Sequence, residues 1–148
     1  MIIGIASDYR GYDLKEKIKE TLKNKYQIED FGTDSNISTD YPDYTFKLGE
    51  AIRDKKINFG IAICGTGIGI SIACNKVKKV RCAKVDNIDD VYKTRIDNDS
   101  NIIAFSSSTS IEKAIEYVEK FINTPCSNEE KHVRRRNKIK EYEDKNDR

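Results

Sequence analysis

Apolar residues along this chain fall into two alternating patterns, short continuous runs and longer segments in which they recur every three or four positions. The runs are typical of buried strands, and the longer segments are typical of amphipathic helices. The predicted strands span residues 2–6, 26–31, 59–64, 80–85 and 101–105. The predicted helices span residues 12–24, 42–52, 70–76, 88–95 and 111–122.

Strands and helices therefore alternate five times, which predicts an α/β fold with a single doubly wound, five-stranded parallel sheet (Rossmann-like). We predict one domain over residues 1–126, followed by a basic C-terminal helical arm over residues 127–148. In such sheets, ligands bind beyond the carboxyl ends of the strands. Three of these ends carry polar or nucleophilic side chains, at Asp8, at Cys64 and in the hydroxyl-rich turn 106–110.

The balance of charged and apolar residues narrows the classes of function. Charged residues make up 35% of the chain but the net charge is only +2, which argues against a broad nucleic-acid-binding surface. No apolar run approaches the ~20 residues that span a bilayer, and the N-terminus begins a strand rather than a signal sequence. We expect a cytoplasmic protein that has neither nucleic acid nor a membrane as its partner.

The four cysteines form no CxxC pair and the chain has one histidine, so the sequence predicts no metal site. Cys74, Cys82 and Cys126 are predicted to be small buried apolar residues without disulfide bonds. Cys64 differs from them because a glycine-rich loop follows it directly.

That loop has glycines at every second position, Gly65, Gly67 and Gly69, and it leads into the third predicted helix. It is not a P-loop, because no lysine follows the glycines. It is not a dinucleotide-binding fingerprint either, because its spacing is GxGxG and it follows the third strand. On its glycines alone, the loop could equally be a structural tight turn.

The position of Cys64 favours a chemical role. A thiol at a strand end that faces a helix N-terminus is stabilised as a thiolate by backbone N–H groups and by the helix dipole. The same N–H groups, left uncovered by the glycines, can hold an oxyanion. A base beside such a site suits proton abstraction next to a carbonyl, through an enediolate. A nucleophilic role is the alternative, although such cysteines normally need a nearby histidine, and the one histidine lies in the tail.

The tail beyond residue 127 contains few apolar residues and a dense group of cations. The cations are Lys131, His132, Arg134, Arg135, Arg136, Lys138 and Lys140. Such a helix is either a solvated face or an arm that packs on another subunit. Its bunched positive charges would also suit a phosphate group.

Six groups of residues along the chain form a recognisable set of motifs. They are Ser7-Asp8 with Gly11, residues 30–33 (Asp-Phe-Gly-Thr), residues 39–42 (Thr-Asp-Tyr-Pro), residues 63–71 with Asn75-Lys76, Asn98-Asp99 with Asn101, and Lys131-His132 with Arg135. Together they resemble the ribose-5-phosphate isomerase B and galactose-6-phosphate isomerase (RpiB/LacAB) family, over residues 1 to 139.

The resemblance implies an aldose–ketose isomerase of a sugar phosphate that needs no metal or cofactor. It implies a homodimer or homotetramer with active sites shared between subunits. The expected reaction converts ribose 5-phosphate to ribulose 5-phosphate, a step of the pentose phosphate pathway. The implied catalytic residues are Cys64 as the base, Thr66, Asp97 and Asp8. The implied substrate-binding residues are Asp8, Tyr9, Tyr41, Gly65, Gly67, Gly69 and Asn98, with Lys131, His132 and Arg135 for the phosphate.

Four positions depart from the family pattern. Tyr9 and Asp97 stand where the family usually has histidine, and the histidine at the second position opens the sugar ring. Ser108 stands where many members have a phosphate-binding arginine, and Lys131 replaces another arginine, which keeps the charge but loses the bidentate fork. Asp97 can accept the proton of the anomeric hydroxyl but is a poor acid at neutral pH.

Three functions stay open at this point. The first is an active isomerase with altered substrate or ring-opening chemistry. The second is the cysteine-bearing subunit of a heteromeric galactose-6-phosphate isomerase, which needs a related second chain. The third is a sugar-phosphate-binding paralogue without catalysis. The complete loop and Cys64 argue against the third, because a binding protein needs no placed thiol. The sequence does not decide between pentose and hexose phosphates.

Overall fold

The computed structural model describes residues 1–146, and within this range the chain forms five parallel β-strands and six α-helices. The strands are β1 Ile2–Ser7, β2 Gln27–Asp30, β3 Phe59–Cys64, β4 Cys82–Lys84 and β5 Ile102–Ser106. The helices are α1 Tyr12–Leu22, α2 Tyr41–Arg53, α3 Ile68–Cys74, α4 Ile88–Asn98, α5 Ile111–Asn123 and α6 Glu130–Lys145. The predicted α/β class with a C-terminal helix is confirmed.

The strands form one sheet in the order β2-β1-β3-β5-β4, and helices cover both of its faces. Apolar side chains of α1, α4 and α5 pack with Ile61 and Ile63 on one face. Those of α2 and α3 pack with Ala62 and Cys64 on the other face. Successive residues of β3 therefore enter opposite layers of the core, as the alternation of side chains along a strand requires.

Two of the ten predicted elements differ from the prediction by three residues in length, and the others by two or fewer. The predicted strand at residues 80–85 is confined to Cys82–Lys84, because the chain before it turns at Lys79 (φ 71°) and a side chain, that of Asn101, binds the backbone N–H of Arg81. The predicted helix at residues 88–95 continues to Asn98 and ends at Asp99 in the left-handed conformation (φ 50°). Asp97 and Asn98 therefore lie on the last turn of α4 rather than in a loop.

β1 lies inside the sheet, between β2 and β3, and this position sets the location of the site. β1 pairs with β3 so that Ser7 lies opposite Ile63, and β3 pairs with β5 so that Cys64 lies opposite Ser106. The chain leaves β1 toward β2 on one side and returns to β3 on the other. This is the switch point at which open α/β sheets leave a crevice for ligands.

The C-terminal helix α6 buries none of its residues and is joined to the rest of its own chain mainly by polar contacts. Arg136 donates hydrogen bonds to the carbonyls of Asp97 and Ser127, at 3.2 and 2.7 Å. Glu143 accepts from the backbone N–H of Lys79 at 3.0 Å. That the arm packs on a partner subunit stays a prediction, and its last two residues, 147–148, lie outside the described residues.

None of the helices within residues 1–146 is long and apolar enough to cross a membrane. All four cysteines are unpaired; Cys74 is buried, as predicted, whereas Cys82 and Cys126 are half-buried. The Cys82 thiol has its pKa raised well above the usual value by a hydrogen bond with Cys74 and by burial.

A buried arginine holds the end of α4 in place. Arg95 donates to the carbonyls of Thr124 and Ser100, at 2.9 and 2.7 Å, and its guanidinium carbon lies 5.1 Å from the ring centre of Phe59. It also pairs with Asp99 at 2.8 Å. The position of Asp97 and Asn98 thus depends on a cation that is largely removed from water.

We predict that Arg95→Met destabilises the protein, because it leaves buried carbonyls without a donor, at a cost on the order of 1–3 kcal/mol for each. Urea denaturation followed by circular dichroism measures the change. The control is Arg53→Met, since Arg53 is partly exposed at the end of α2 and forms an ion pair with its neighbour Asp54; its effect should stay within about 0.5 kcal/mol. Equal unfolding midpoints for the two variants would contradict the role of Arg95.

Candidate active site

The carboxylate of Asp8 stands at the end of β1 and is fixed by the backbone that follows it. Its Oδ1 accepts hydrogen bonds from the N–H groups of Arg10 and Gly11, at 3.0 and 3.2 Å, and so caps the 3₁₀ turn Tyr9–Gly11. The backbone N–H of Asp8 reaches the carbonyl of Ile63 at 3.4 Å. Asp8 is therefore a buried, pre-oriented acceptor beside the end of β3.

Cys64 is the last residue of β3 and is only 4% exposed. Its Sγ accepts a hydrogen bond from the backbone N–H of Gly67 at 3.2 Å. The structure thus confirms that the thiol faces the loop amides that lead into α3. That Cys64 acts as a thiolate base stays a prediction.

Each glycine of the loop is needed for a different reason. Gly67 has φ +79°, and a Cβ there would lie 2.8 Å from the backbone of Phe105. A Cβ on Gly69 would lie 2.7 Å from the ring of Tyr41. At Gly65 it would meet the side chain of Arg10 at 3.0 Å. The loop is consequently both a tight turn and a surface that other site residues approach closely.

A cavity of about 640 Å³ opens above Cys64. Most of the predicted site residues from the first half of the chain line this cavity. Those that line it are Asp8, Tyr9, Tyr41, Cys64, Gly65, Thr66 and Gly69. Gly67 lies beneath the surface as the N-cap of α3. The Thr66 hydroxyl oxygen accepts from the N–H of Ile68 at 3.1 Å, which leaves its own proton to donate.

Six further residues line this cavity although none of them was predicted as a site residue. They are Arg10, Ser38, Thr39, Asp40, Pro42 and Asp43. The motif at residues 39–42 was the signal for three of these neighbours, but it did not say which side chains face the ligand. Thr39 is the clearest omission, since its hydroxyl oxygen is buried with no hydrogen-bond partner in the described range.

The predicted site residues from the second half of the chain lie elsewhere, and none of them lines the cavity above Cys64. His132 Nε2 is 3.3 Å from Asp97 Oδ1, so α6 and α4 meet at two predicted site residues. Lys131 lies 3.8 Å from Glu129. Asn98 faces another cavity, of about 840 Å³, between α6 and the β4 edge of the sheet. Arg135 is exposed on α6.

The predicted site residues thus lie in two separate groups. We call Asp8, Tyr41, Cys64 and the glycine loop the cysteine half-site, and we call Asp97, Asn98, Lys131, His132 and Arg135 the tail half-site. Within residues 1–146 there is no cluster of three or more histidine, cysteine or acidic residues that could hold a metal ion.

Arg10 brings positive charge to the cysteine half-site. Its Nε donates to the Tyr9 hydroxyl at 3.1 Å, and this bond is the main cause of a pKa raised above the ordinary arginine value. The charges of Asp8 and Cys64 contribute in the same direction. The guanidinium therefore stays charged beside the thiol.

Comparison with known proteins agrees with this geometry. A model of the Ribose/Galactose Isomerase family matches residues 3–139. The chain belongs to this family. Its members named below are isomerases, and the two half-sites lie within the matched range.

Solved ribose/galactose isomerases share the fold over almost the whole chain. The ribose-5-phosphate isomerase B of Clostridium thermocellum is 41% identical, with a TM-score of 0.92 over 98% of this chain and 99% of its own. That of Mycoplasma genitalium, solved with bound ribulose 5-phosphate, is 34% identical, with a TM-score of 0.88 over 97% and 96%. In sequence, the chain is also similar to the Escherichia coli ribose-5-phosphate isomerase B, with 37% identity over 71% of each chain.

The two glycines that flank Thr66 offer a matched test of the loop. Gly67→Ala should lower stability by at least about 1–2 kcal/mol, because the new residue must take a left-handed conformation and its Cβ meets fixed backbone. Gly65→Ala should cost less, because the flexible side chain of Arg10 can move. Urea unfolding of both variants measures the difference, and a larger loss at Gly65 would refute this reading of the loop.

Proposed function

We propose that this chain interconverts ribose 5-phosphate and ribulose 5-phosphate, with Cys64 as the base. The observation that carries the proposal is the Cys64 thiol, held by the N–H of Gly67 at 3.2 Å beneath a cavity of about 640 Å³. The M. genitalium relative with bound ribulose 5-phosphate, 34% identical to this chain, supports the choice of substrate.

The proton transfer runs between neighbouring carbons of the open-chain sugar. The Cys64 thiolate takes the proton from C2 of the aldose, and the electron pair moves toward O1 to give an enediolate. The thiol then returns the proton to C1, and the hydroxyl proton passes from O2 to O1. Loop N–H groups and the Thr66 hydroxyl stabilise the charge on the enediolate oxygens, where it develops.

The remaining polar groups of the cysteine half-site hold the sugar. Asp8 is an acceptor for a sugar hydroxyl, since the N–H groups of Arg10 and Gly11 leave its second oxygen available. The Tyr41 ring packs against Gly69 and borders the loop. Tyr9 lines the same cavity with its hydroxyl bound to Arg10.

We further propose that the tail half-site of a second, identical subunit completes each active site. Asp97 then accepts the anomeric proton, Asn98 contacts the sugar, and Lys131, His132 and Arg135 bind at the phosphate end. Exposed apolar side chains on both surfaces support such a contact, Ile68 and Ile72 on α3 beside the loop and Tyr142 on α6. Residues this exposed and apolar favour a protein interface.

Cys64→Ala should lower kcat by about 10²–10⁴-fold, the usual effect of removing a general base. The assay follows ribulose 5-phosphate formed from ribose 5-phosphate. Cys74→Ala is the matched control, because Cys74, the last residue of α3, is also a buried free cysteine but does not line the cavity. Isomerisation that survives the loss of Cys64 would overturn its assignment as base.

A mixed dimer tests whether the site is shared. One subunit carries Cys64→Ala, the other carries Lys131→Ala with Arg135→Ala, and two affinity tags isolate the mixed species. We expect about half of the wild-type activity per dimer, since one of its two sites is intact, while both parent dimers are nearly inactive. A mixed dimer as inactive as its parents, or an active wild-type monomer, would contradict a shared site. Activity only after addition of a related second chain would instead support the heteromeric alternative.

A further inference from the structure

The cavity above Cys64 is acidic. Asp8, Asp40 and Asp43 line it, and Arg10 is its one cation among the residues that the structure describes. A phosphate monoester carries about −1.5 to −2 charge at pH 7. The three carboxylates repel such an anion, and a cation in the cavity offsets that repulsion. Among the described residues that line the cavity, Arg10 is therefore the candidate to bind the phosphate of the substrate.

The side chain of Arg10 is already placed over the glycine loop. Its Cδ and Nη1 lie 3.0 Å from the point that a Cβ on Gly65 would occupy, so the guanidinium covers the backbone next to Cys64. Its Nε is fixed by the Tyr9 hydroxyl at 3.1 Å, and the guanidinium carbon is 5.7 Å from the Tyr9 ring centre. The two terminal nitrogens make no ion pair or hydrogen bond within residues 1–146, and they keep the fork that binds phosphate in a bidentate manner.

The other cations that could meet a phosphate are occupied in this chain or placed on other surfaces. Lys131 lies near Glu129, His132 contacts Asp97, and Arg134 pairs with Glu130 at 2.5 Å. Lys113 lines a separate cavity with Ser108 and Asp86. None of these side chains borders the space above Cys64.

We propose that Arg10 binds the phosphate group of the substrate, within the cavity of its own chain. The inference rests on the proposed sugar-phosphate isomerisation. It assigns the primary phosphate contact to the subunit that supplies Cys64, so the tail half-site of the partner adds to a phosphate that is already anchored. It also explains why residue 65 is glycine, since a side chain there would displace the guanidinium.

The first test separates binding from chemistry. Arg10→Gln should raise KM for ribose 5-phosphate and the inhibition constant of inorganic phosphate about ten- to a hundredfold, the effect of losing a charge-assisted hydrogen bond. The change in kcat should be smaller than the change in KM. Arg10→Lys should fall between Arg10→Gln and wild type, because it keeps the charge but loses the fork. Arg53→Gln, a partly exposed arginine far from the cavity, is the control. An unchanged KM in Arg10→Gln would overturn the proposal.

The second test does not depend on turnover. Iodoacetamide alkylates Cys64, and mass spectrometry of peptides distinguishes it from the other three cysteines. Inorganic phosphate and ribose 5-phosphate should slow alkylation of Cys64 in the wild type and in Arg53→Gln, but not in Arg10→Gln. Equal protection of wild type and Arg10→Gln would overturn the proposal, as would no protection of the wild type.

These readouts also separate this proposal from the proposed function. If the wild type does not isomerise ribose 5-phosphate, yet phosphate protects Cys64 only when Arg10 is present, the reaction is wrong and the Arg10 site stands. If Lys131→Ala with Arg135→Ala abolishes protection while Arg10→Gln leaves it intact, the tail holds the phosphate and the Arg10 site is overturned.

Discussion

The parallel pairing of β1 with β3 is the constraint on which the site depends. Ser7 lies opposite Ile63, so the residues that follow, Asp8 and Cys64, emerge side by side at one edge of the sheet. Because β1 lies inside the sheet and five of its six residues are buried, a shift in register would move apolar side chains out of the core. The packing of the core thus fixes the positions of the Asp8 carboxylate and the Cys64 thiol relative to each other.

The glycine loop turns that edge into a reactive surface. Because its three glycines lack side chains, three other parts of the molecule approach the loop closely: the backbone of β5, the side chain of Arg10 and the ring of Tyr41. The loop therefore brings together elements far apart in sequence, while the N–H of Gly67 binds the sulfur of Cys64. The close packing around Gly65, Gly67 and Gly69 thus requires residues without side chains.

Charge divides the molecule into complementary parts. The cavity above Cys64 is lined by three carboxylates and one arginine, whereas α6 carries a dense group of exposed cations. Arg95 and Arg136 hold that end of α4 through its carbonyls and those of neighbouring segments, so Asp97 and His132 meet at a defined place. In the proposed mechanism, a second copy of the chain brings its tail half-site to the cavity above Cys64.

The sequence by itself determined the fold class, the order of the elements and the thiol beside the loop amides, because apolar periodicity and local glycine spacing carry that information. It misjudged the ends of β4 and α4, where a side chain from another segment and a left-handed Asp99 set the boundary. Only the tertiary structure decided that Arg10 and Thr39 face the cavity and that the tail residues do not. Those facts depend on which distant segments pack together, and no local pattern encodes that.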